Sequence, residues 1–279
     1  MALVLARAHP GRVALVFTFM SHPVDLLRRS LATEPSRPLI TFYDDDTGER
    51  VELSARTFDN WVAKTANLLV DGLGAEPGGR VALALPAHWQ TAVWLFACWS
   101  AGLTALPVGA GAIPADADIV AAAPDRLDAA MATTAEVVGL SLHALGASLA
   151  DCPPGVTDYA LEVRAYGDHF VPEARGSVPE AHGGAGGHHA PAVVFGAQAM
   201  TGAELMAEAE ARVTSPAARV LTTVSFDTPD GLLAGLLSPL ASGGSVIICQ
   251  NLAQKGLERR ISLEHVTAVV PSRSTHPSS

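Results

Sequence analysis

The segment Ser225-Phe-Asp-Thr228 carries the side chains of this sequence that are best suited to bind a small molecule. It ends a run that starts at Arg219 and is typical of a strand, and it precedes Pro229, which opens a helical pattern. Ligands of open α/β sheets bind where strands end, so Asp227 is predicted to face a cleft, with Ser225 and Thr228 beside it. The interpretation that we favour at this point is that Asp227 and Thr228, which precede Pro229, cap the following helix.

Other side chains that could bind a metal or act as nucleophiles lack the necessary spacing. The run Asp44-Asp45-Asp46 has neither the alternating carboxylates nor the distal Glu of a calcium loop, which favours a solvated turn. His182, His188 and His189 lie in a Gly-rich stretch without Cys or acidic ligands at fixed spacing, which argues against a metal site. No Ser occupies a nucleophile elbow. The sequence therefore predicts no catalytic residue and no metal.

The composition restricts the compartment and the partners. The chain has 279 residues and a formal net charge of −10, without a basic stripe, which argues against a nucleic-acid partner. No apolar run approaches the ~20 residues of a membrane span, so no membrane partner is expected. The cysteines are few, odd in number and widely spaced: Cys98, Cys152 and Cys249. They predict free thiols in a reducing compartment, and hence a cytoplasmic protein.

The first 19 residues are apolar and slightly basic, so a signal peptide is one interpretation. Pro10 and Arg12 interrupt the apolar stretch, however, and no small-residue cleavage site follows Met20. We therefore expect an N-terminal extension at residues 1–19, with translation naturally beginning at Met20.

Residues 79–109 predict the centre of the fold. The apolar run Arg80–Leu85 is typical of a buried strand, His88–Ala101 has helical spacing with apolar residues on most sides, and Thr104–Val108 is a second strand. Strand, helix and strand in this order predict a parallel βαβ unit with a right-handed crossover. Three of the four tryptophans lie in its helix, so the aromatic core is expected there.

Alternating strands and helices continue through the chain and predict an α/β fold of two βαβ-type lobes with largely parallel sheets. A hairpin, a helix at Thr57–Leu73 and a strand at Tyr159–Val163 belong to this pattern. The predicted divisions are a first lobe at 20–174, a Gly/His-rich loop at 175–190, an incomplete second lobe at 191–271 and a disordered tail at 272–279.

Three segments resemble the N-terminal domain of adenylate-forming (AMP-binding) enzymes, which include acyl-CoA synthetases, luciferases and the adenylation domains of peptide synthetases. They are Phe58–Pro86, Phe96–Pro107, which is similar to the family's LACLKAGAVYVPL, and Val224–Ile248. The resemblance extends from about Val24 to Pro271. It implies the fold of that domain without the C-terminal lid, and it is strongest to short bacterial proteins related to these enzymes.

The chain departs from this family at the phosphate loop, a Ser/Thr/Gly-rich turn ending in Pro-Lys-Gly whose hydroxyls, N–H groups and Lys hold ATP. The residues in that place are Gly196 to Gly202, which include no Lys and one hydroxyl, that of Thr201. The pattern Thr201-x-x-Glu204 predicts a capping box, which accounts for Thr201 and Gly202 without a nucleotide. A degenerate phosphate site formed by Gly196, Thr201 and Gly202 is the alternative.

The other nucleotide contacts of the family also lack counterparts. The two lysines are Lys64, predicted on the polar side of a helix, and Lys255, predicted in a loop, and neither is placed to reach ATP. Tyr166-Gly-Asp168 resembles a ribose-binding motif but lies in the wrong half of the chain. The family's adenine, Mg²⁺ and ribose contacts and its lid would follow Pro271. We therefore expect no cofactor, with ATP and Mg²⁺ only if the chain is a ligase.

The resemblance also bears on Asp227, because Ser225-Phe-Asp227 is similar to the SFD of adenylation domains, whose Asp receives a substrate amino group. The His that acyl-CoA synthetases carry in this loop is absent. Three hypotheses follow. The chain is a non-catalytic domain that binds a small molecule or a protein partner, an ATP-dependent carboxylate ligase complemented in trans, or a gene remnant without activity.

Overall fold

The computed structural model describes residues 4–5, 15–16, 20–143, 146–171 and 190–271. Of the predicted N-terminal extension at residues 1–19, only residues 4–5 and 15–16 lie within these ranges. The predictions for the tail and for the Gly/His-rich loop with His182, His188 and His189 fall outside them.

The described part of the chain contains fourteen strands and nine α-helices. The strands are β1 (Val4–Leu5), β2 (Leu15–Val16), β3 (Pro38–Asp44), β4 (Glu49–Ser54), β5 (Arg80–Ala84), β6 (Thr104–Pro107), β7 (Ile119–Ala122), β8 (Glu136–Gly139), β9 (Val156–Asp158), β10 (Val193–Phe195), β11 (Gln198–Met200), β12 (Arg219–Thr222), β13 (Ser245–Gln250) and β14 (Ala268–Val270). The helices are α1 (Val24–Thr33), α2 (Ala55–Asn67), α3 (Trp89–Ser100), α4 (Leu127–Met131), α5 (Tyr159–Glu162), α6 (Gly202–Ala211), α7 (Pro229–Leu232), α8 (Ser238–Ala241) and α9 (Gln254–Leu263). A π-helical turn at Leu68–Gly72 extends α2, and another at Leu233–Leu237 joins α7 to α8.

The strands form two large sheets, which confirms the predicted α/β class. The first has seven strands in the order β11-β10-β6-β5-β7-β8-β9, and the second has five in the order β14-β12-β13-β3-β4. Within these two sheets, all pairs are parallel except the hairpins β10–β11 and β3–β4. The predicted βαβ unit is present, because β5 and β6 are adjacent and parallel, with Arg80 opposite Thr104.

Each large sheet draws strands from both parts of the chain. The early hairpin β3–β4 belongs to the second sheet, where Ile40 pairs with Val246 of β13, and the late hairpin β10–β11 belongs to the first sheet. The predicted boundary at 175–190 therefore does not separate the two sheets. The prediction assigned strands to lobes by their order in the sequence. In the folded chain, a strand pairs where both faces of the sheet become buried, and its partner can be distant in sequence.

Helix α3 forms the core between the two sheets. Residues 89–99 are all buried, and the helix contacts β5 and β6 of the first sheet as well as β3 of the second. Its indoles and the Phe96 ring meet aromatic residues of α2, since Phe96 packs edge-on against Phe58 and Trp89 packs against Trp61. The prediction of an aromatic core in this helix is confirmed.

Two local predictions were wrong. Residues 159–163 form α5 and a following 3₁₀ turn instead of a strand, because Asp158 accepts hydrogen bonds from the N–H groups of Ala160 and Leu161 and so caps a helix. Tyr159 and Val163, four residues apart, are both buried. Lys255 lies in α9 rather than in a loop.

None of the helices within the described ranges combines the length and the apolar character that crossing a membrane requires.

Candidate functional site

A cleft of about 840 Å³ opens where the strands of both large sheets end. Its walls include Ala84 at the end of β5, Gly109 after β6 and Ala123 after β7, and on the other side Gln250 at the end of β13 and Val269 in β14. This is the side of an open α/β sheet where ligands bind.

Asp227 lines this cleft. It is partly buried, and among the residues that the structure describes its carboxylate has no hydrogen bond or ion pair. The side chain rests against Gly109, where an added Cβ would lie 2.5 Å from Asp227 Oδ2. Gly109 also has a φ of +51°, a conformation that glycine adopts without steric cost. The absence of a side chain at Gly109 therefore leaves the space that the Asp227 carboxylate occupies.

Thr228, and not Asp227, caps the following helix. Thr228 Oγ1 accepts a hydrogen bond of 3.1 Å from the N–H of Gly231, so the predicted capping role belongs to the threonine alone. Ser225 is exposed. Ser225 and Asp227 also line a second cleft of about 990 Å³, bounded by Met200 and Leu233. The predicted binding segment thus lies between two clefts, with Asp227 facing both.

The arginines that line the two clefts are already engaged. Arg126 Nη1 donates to the carbonyl of Ala110 at 2.7 Å and Nη2 donates to that of Gly111, which fixes the loop after β6. In the second cleft, Arg212 pairs with Asp230 at 2.9 Å and with Glu208 at 3.8 Å. Arg126 keeps its charge, because its partners are neutral carbonyls. Two carboxylates, Asp125 and Asp227, also line the larger cleft and have no hydrogen bond or ion pair within the described residues, so its lining carries more negative than positive charge and favours a cationic group.

A tight hairpin occupies the position at which sequence analysis expected the phosphate loop. Strands β10 and β11 pair antiparallel, with Phe195 opposite Gln198, so that Gly196 and Ala197 alone form the turn. Gly196 has a φ of +56°, as expected for the first position of a type II′ turn. A turn of this length leaves no loop that could surround a triphosphate. Sequence analysis missed this hairpin, although the alternation Val-Phe-Gly-Ala-Gln with a central glycine is a hairpin signal.

The polar residues after this hairpin serve to start α6. The predicted capping box is confirmed: Thr201 Oγ1 accepts from Glu204 N–H at 3.2 Å, and Glu204 Oε2 accepts from Thr201 N–H at 2.8 Å. Gly202 is required by packing, because a Cβ there would lie 2.2 Å from Cδ2 of His22. Burial lowers the pKa of His22, Asp25 raises it by a smaller amount, and Arg28 lowers it slightly further. Thr201 and Gly202 therefore have structural roles.

The other residues considered for nucleotide binding lie outside the lining of both clefts. Lys64 Nζ donates to the carbonyl of Tyr166 at 2.5 Å, which holds the Tyr166–Asp168 segment against α2. Lys255 is exposed in the first turn of α9, next to Gln254, which does line the larger cleft. Across the described ranges, no group of three His, Cys, Asp or Glu side chains could hold a metal.

Two residues that sequence analysis did not single out connect the cleft to the core. Gln250 Nε2 donates to the carbonyl of Ala87 at 2.8 Å, which joins the second sheet to the segment after β5. The second residue is His88, which follows Ala87 in the sequence. Its Nδ1 accepts from the N–H of Gln90 and caps α3, and burial lowers its pKa to about 3. The ring packs edge-on against Phe42 at 4.3 Å. His88 is therefore neutral and structural at ordinary pH.

Comparison with known sequences identifies the family to which the chain belongs. A TIGR03089 family protein of Mycobacterium tuberculosis strain H37Rv is 43% identical over 250 residues, which are 88% of this chain and 96% of that protein. The chain belongs to the TIGR03089 family. Residues 27–132 also match the model of the AMP-binding enzyme.

Solved structures place the fold of this TIGR03089 chain among the adenylate-forming enzymes. An acyl-CoA synthetase of Brucella canis matches with a TM-score of 0.68 at 17% identity, over 91% of this chain and 47% of that one. The N-terminal domain of FACL13 from Mycobacterium tuberculosis matches with a TM-score of 0.62 at 17% identity, over 90% of this chain and 62% of that one. The chain thus spans about half the length of the solved synthetase. The predicted fold of an adenylate-forming N-terminal domain is confirmed.

Proposed function

We propose that this chain is a binding module that uses the AMP-binding fold to hold a small molecule at Asp227 and does not itself form acyl-adenylates. The observation that supports the proposal is the two-residue turn of the β10–β11 hairpin, in the segment where the sequence predicts the family's phosphate loop. Acyl-adenylate formation requires the phosphates of ATP to be neutralised and held in line with a nucleophile. A turn of two residues, without a lysine, provides neither.

The charges around the cleft support a cationic ligand over a nucleotide. Two carboxylates without a hydrogen bond or ion pair in the described residues, Asp125 and Asp227, line the larger cleft, against one guanidinium, that of Arg126, which the Ala110 and Gly111 carbonyls hold in place. A phosphate in this position would be repelled by Asp227, but a primary amine would form a charge-assisted hydrogen bond with it. The apolar lining from Leu85, Pro86 and Leu257 suits a hydrocarbon body attached to that amine.

The proposal is tested by calorimetry with pairs of probes that share one skeleton and differ in charge. Hexylamine and phenethylamine are expected to bind, and hexanoate and phenylacetate are not. Asp227→Asn should weaken amine binding by about 10- to 100-fold, as expected for the loss of a hydrogen bond to a charged group. Asp230→Asn, which removes a carboxylate already paired with Arg212, is the matched control and should bind like wild type. Equal binding of the amines by wild type and Asp227→Asn would contradict the proposal.

A carboxylate ligase complemented in trans is the second candidate, and the match of residues 27–132 to the AMP-binding enzyme favours it. The same calorimeter separates the two candidates, since a ligase would bind ATP with Mg²⁺ and would bind it more tightly in the presence of its carboxylate. We expect no heat of binding with ATP and Mg²⁺.

A further inference from the structure

Helix α9 forms one wall of the larger cleft and contributes little to the core, where the partly buried Leu257 packs against a cluster of Leu221, Ile247 and Cys249. Leu252, Gln254 and Leu257 of this region line the cleft. None of the residues of α9 is buried, and Leu263 at its end is 66% exposed. Such a helix gains little from apolar burial, so another force must hold it against the second sheet.

Ion pairs to the last turn of α9 and to the residue after the helix supply that force. The Asp45 carboxylate accepts a hydrogen bond of 2.7 Å from the N–H of Ala253, just before the helix, and one of 3.2 Å from Nη1 of Arg260 in the last turn. Just past its end, Glu264 pairs with Arg219, and with Arg50 at 3.1 Å. The Asp45–Arg260 and Glu264–Arg219 side chains are each between 11% and 17% exposed. Removing one partner of such a shielded pair leaves the other charge buried and unpaired, which destabilises a structure more than breaking an exposed pair does.

We propose that α9 is a latched flap, which opens away from the second sheet as a local unit and is held closed by the Asp45–Arg260 and Glu264–Arg219 ion pairs. Opening would widen the cleft from one side. The inference rests on the proposed function only for this link between the flap and the cleft. The helix has the properties of a low-stability unit, namely few apolar contacts and no fully buried residue.

The three cysteines provide reporters for this opening. Cys249 is 3% exposed beneath α9, where its Sγ accepts a hydrogen bond of 3.6 Å from Arg260 Nη1. Burial raises its pKa to about 11, against a smaller lowering by Arg260, so the closed form reacts poorly. Cys98 is fully buried in the core helix α3, so we expect it to become accessible only on global unfolding. Cys152 is exposed and would be replaced by serine to remove its reaction.

The experiment measures the rates at which a thiol reagent labels Cys249 and Cys98 in native Cys152→Ser protein without any ligand, with peptide mass spectrometry to separate the sites. We expect Cys249 to react at least about tenfold faster than Cys98, because local opening costs less than global unfolding. Asp45→Asn should accelerate Cys249 by about tenfold or more while Cys98 keeps its rate, because the substitution leaves Arg260 without its partner. Glu264→Gln should act in the same direction.

The matched control is Asp46→Asn, which removes the neighbouring charge from the same turn and should leave both rates unchanged. Equal labelling rates for Cys249 and Cys98 in the parent protein would overturn the inference, since only global unfolding would then expose the cleft wall. So would an Asp45→Asn variant that accelerates both cysteines by the same factor. Because no ligand is present, these outcomes are independent of whether amines bind at Asp227.

Discussion

The two strand-to-helix segments of this protein, Gly196–Gly202 and Ser225–Pro229, use the same capping chemistry but differ in what they leave free. In the first, Thr201 and Glu204 cap each other's backbone N–H groups, and Gly202 makes room for His22. In the second, Thr228 alone caps the helix, and the carboxylate of Asp227 lies unpaired in a cleft. A polar residue at the start of a helix thus indicates a binding site only if it is not needed to cap the free N–H groups of the first helical turn.

The largest expected effect on stability concerns Gly202, in the segment that we consider purely structural. Gly202→Ala should destabilise the protein by about 1–3 kcal/mol, because the new methyl group would overlap the His22 ring. Denaturant unfolding measures this cost. Gly256→Ala in α9 is the matched control, since its Cβ would meet no atom within 4 Å, and it should be neutral or stabilising. A fully stable Gly202→Ala protein would show that the His22 packing is not what requires glycine.

The pH dependence of stability reports on His22 and on the buried His88. Their pKa values are lower in the folded protein than in the unfolded chain, to about 3 for His88, so below about pH 6.5 the unfolded chain binds more protons. Stability should therefore fall by about 2 kcal/mol from His88 alone between pH 7 and pH 5, and by more with His22. His22→Gln should have the smaller slope, measured by urea unfolding at several pH values. A slope equal to that of wild type would contradict the burial of His22 against α6.

The capping residues allow a direct comparison of the two segments. Thr201→Ala and Thr228→Ala should each destabilise by about 0.5–2 kcal/mol, the usual cost of losing an N-cap. Thr201→Ala should leave amine binding unchanged. If it abolished binding of a ligand while stability held, the first segment would be functional and the comparison would fail.

At Gly109 a moderate loss of stability should be accompanied by a loss of binding. Gly109→Ala should cost about 1–2 kcal/mol because its φ is positive, and the added methyl group would push the Asp227 carboxylate out of position. We therefore expect weaker amine binding by a protein that still folds. Gly48→Ala is a suitable control, since it has a positive φ but no atom within 4 Å of its Cβ, and it should lose stability without losing affinity.

The sequence was most informative where one segment determines its own structure. The β5–α3–β6 unit and the capping box at Thr201 were predicted correctly, because their periodicity and cap residues are local. The placement of each hairpin in the sheet of the other part of the chain was not predicted. Strand β3 pairs with β13, about two hundred residues later, and no local sequence pattern indicates that pairing. Helix α5 was mistaken for a strand because a short apolar run fits both, and only the Asp158 cap decides between them.

The candidate site was predicted only in part for a similar reason. The sequence identified Asp227 and Thr228, but the division of roles between them depends on the position of one hydroxyl relative to the Gly231 N–H. Arg126 and Gln250 were missed because their partners are carbonyls brought close by the fold. The unpaired state of Asp227, on which its proposed role depends, is a property of the assembled cleft.

Carboxylate-dependent pyrophosphate exchange by the purified chain, assayed with fatty, aryl and amino acids, is the most direct test of the central claim. The loss of even one electrostatic donor costs about 10²–10³ in rate, and the β10–β11 turn lacks several, so we predict no exchange above background. A solved acyl-CoA synthetase serves as the positive control. Exchange that persists after removal of trace contaminating ligases, and that Asp227→Ala abolishes, would contradict the account and place Asp227 in an active site.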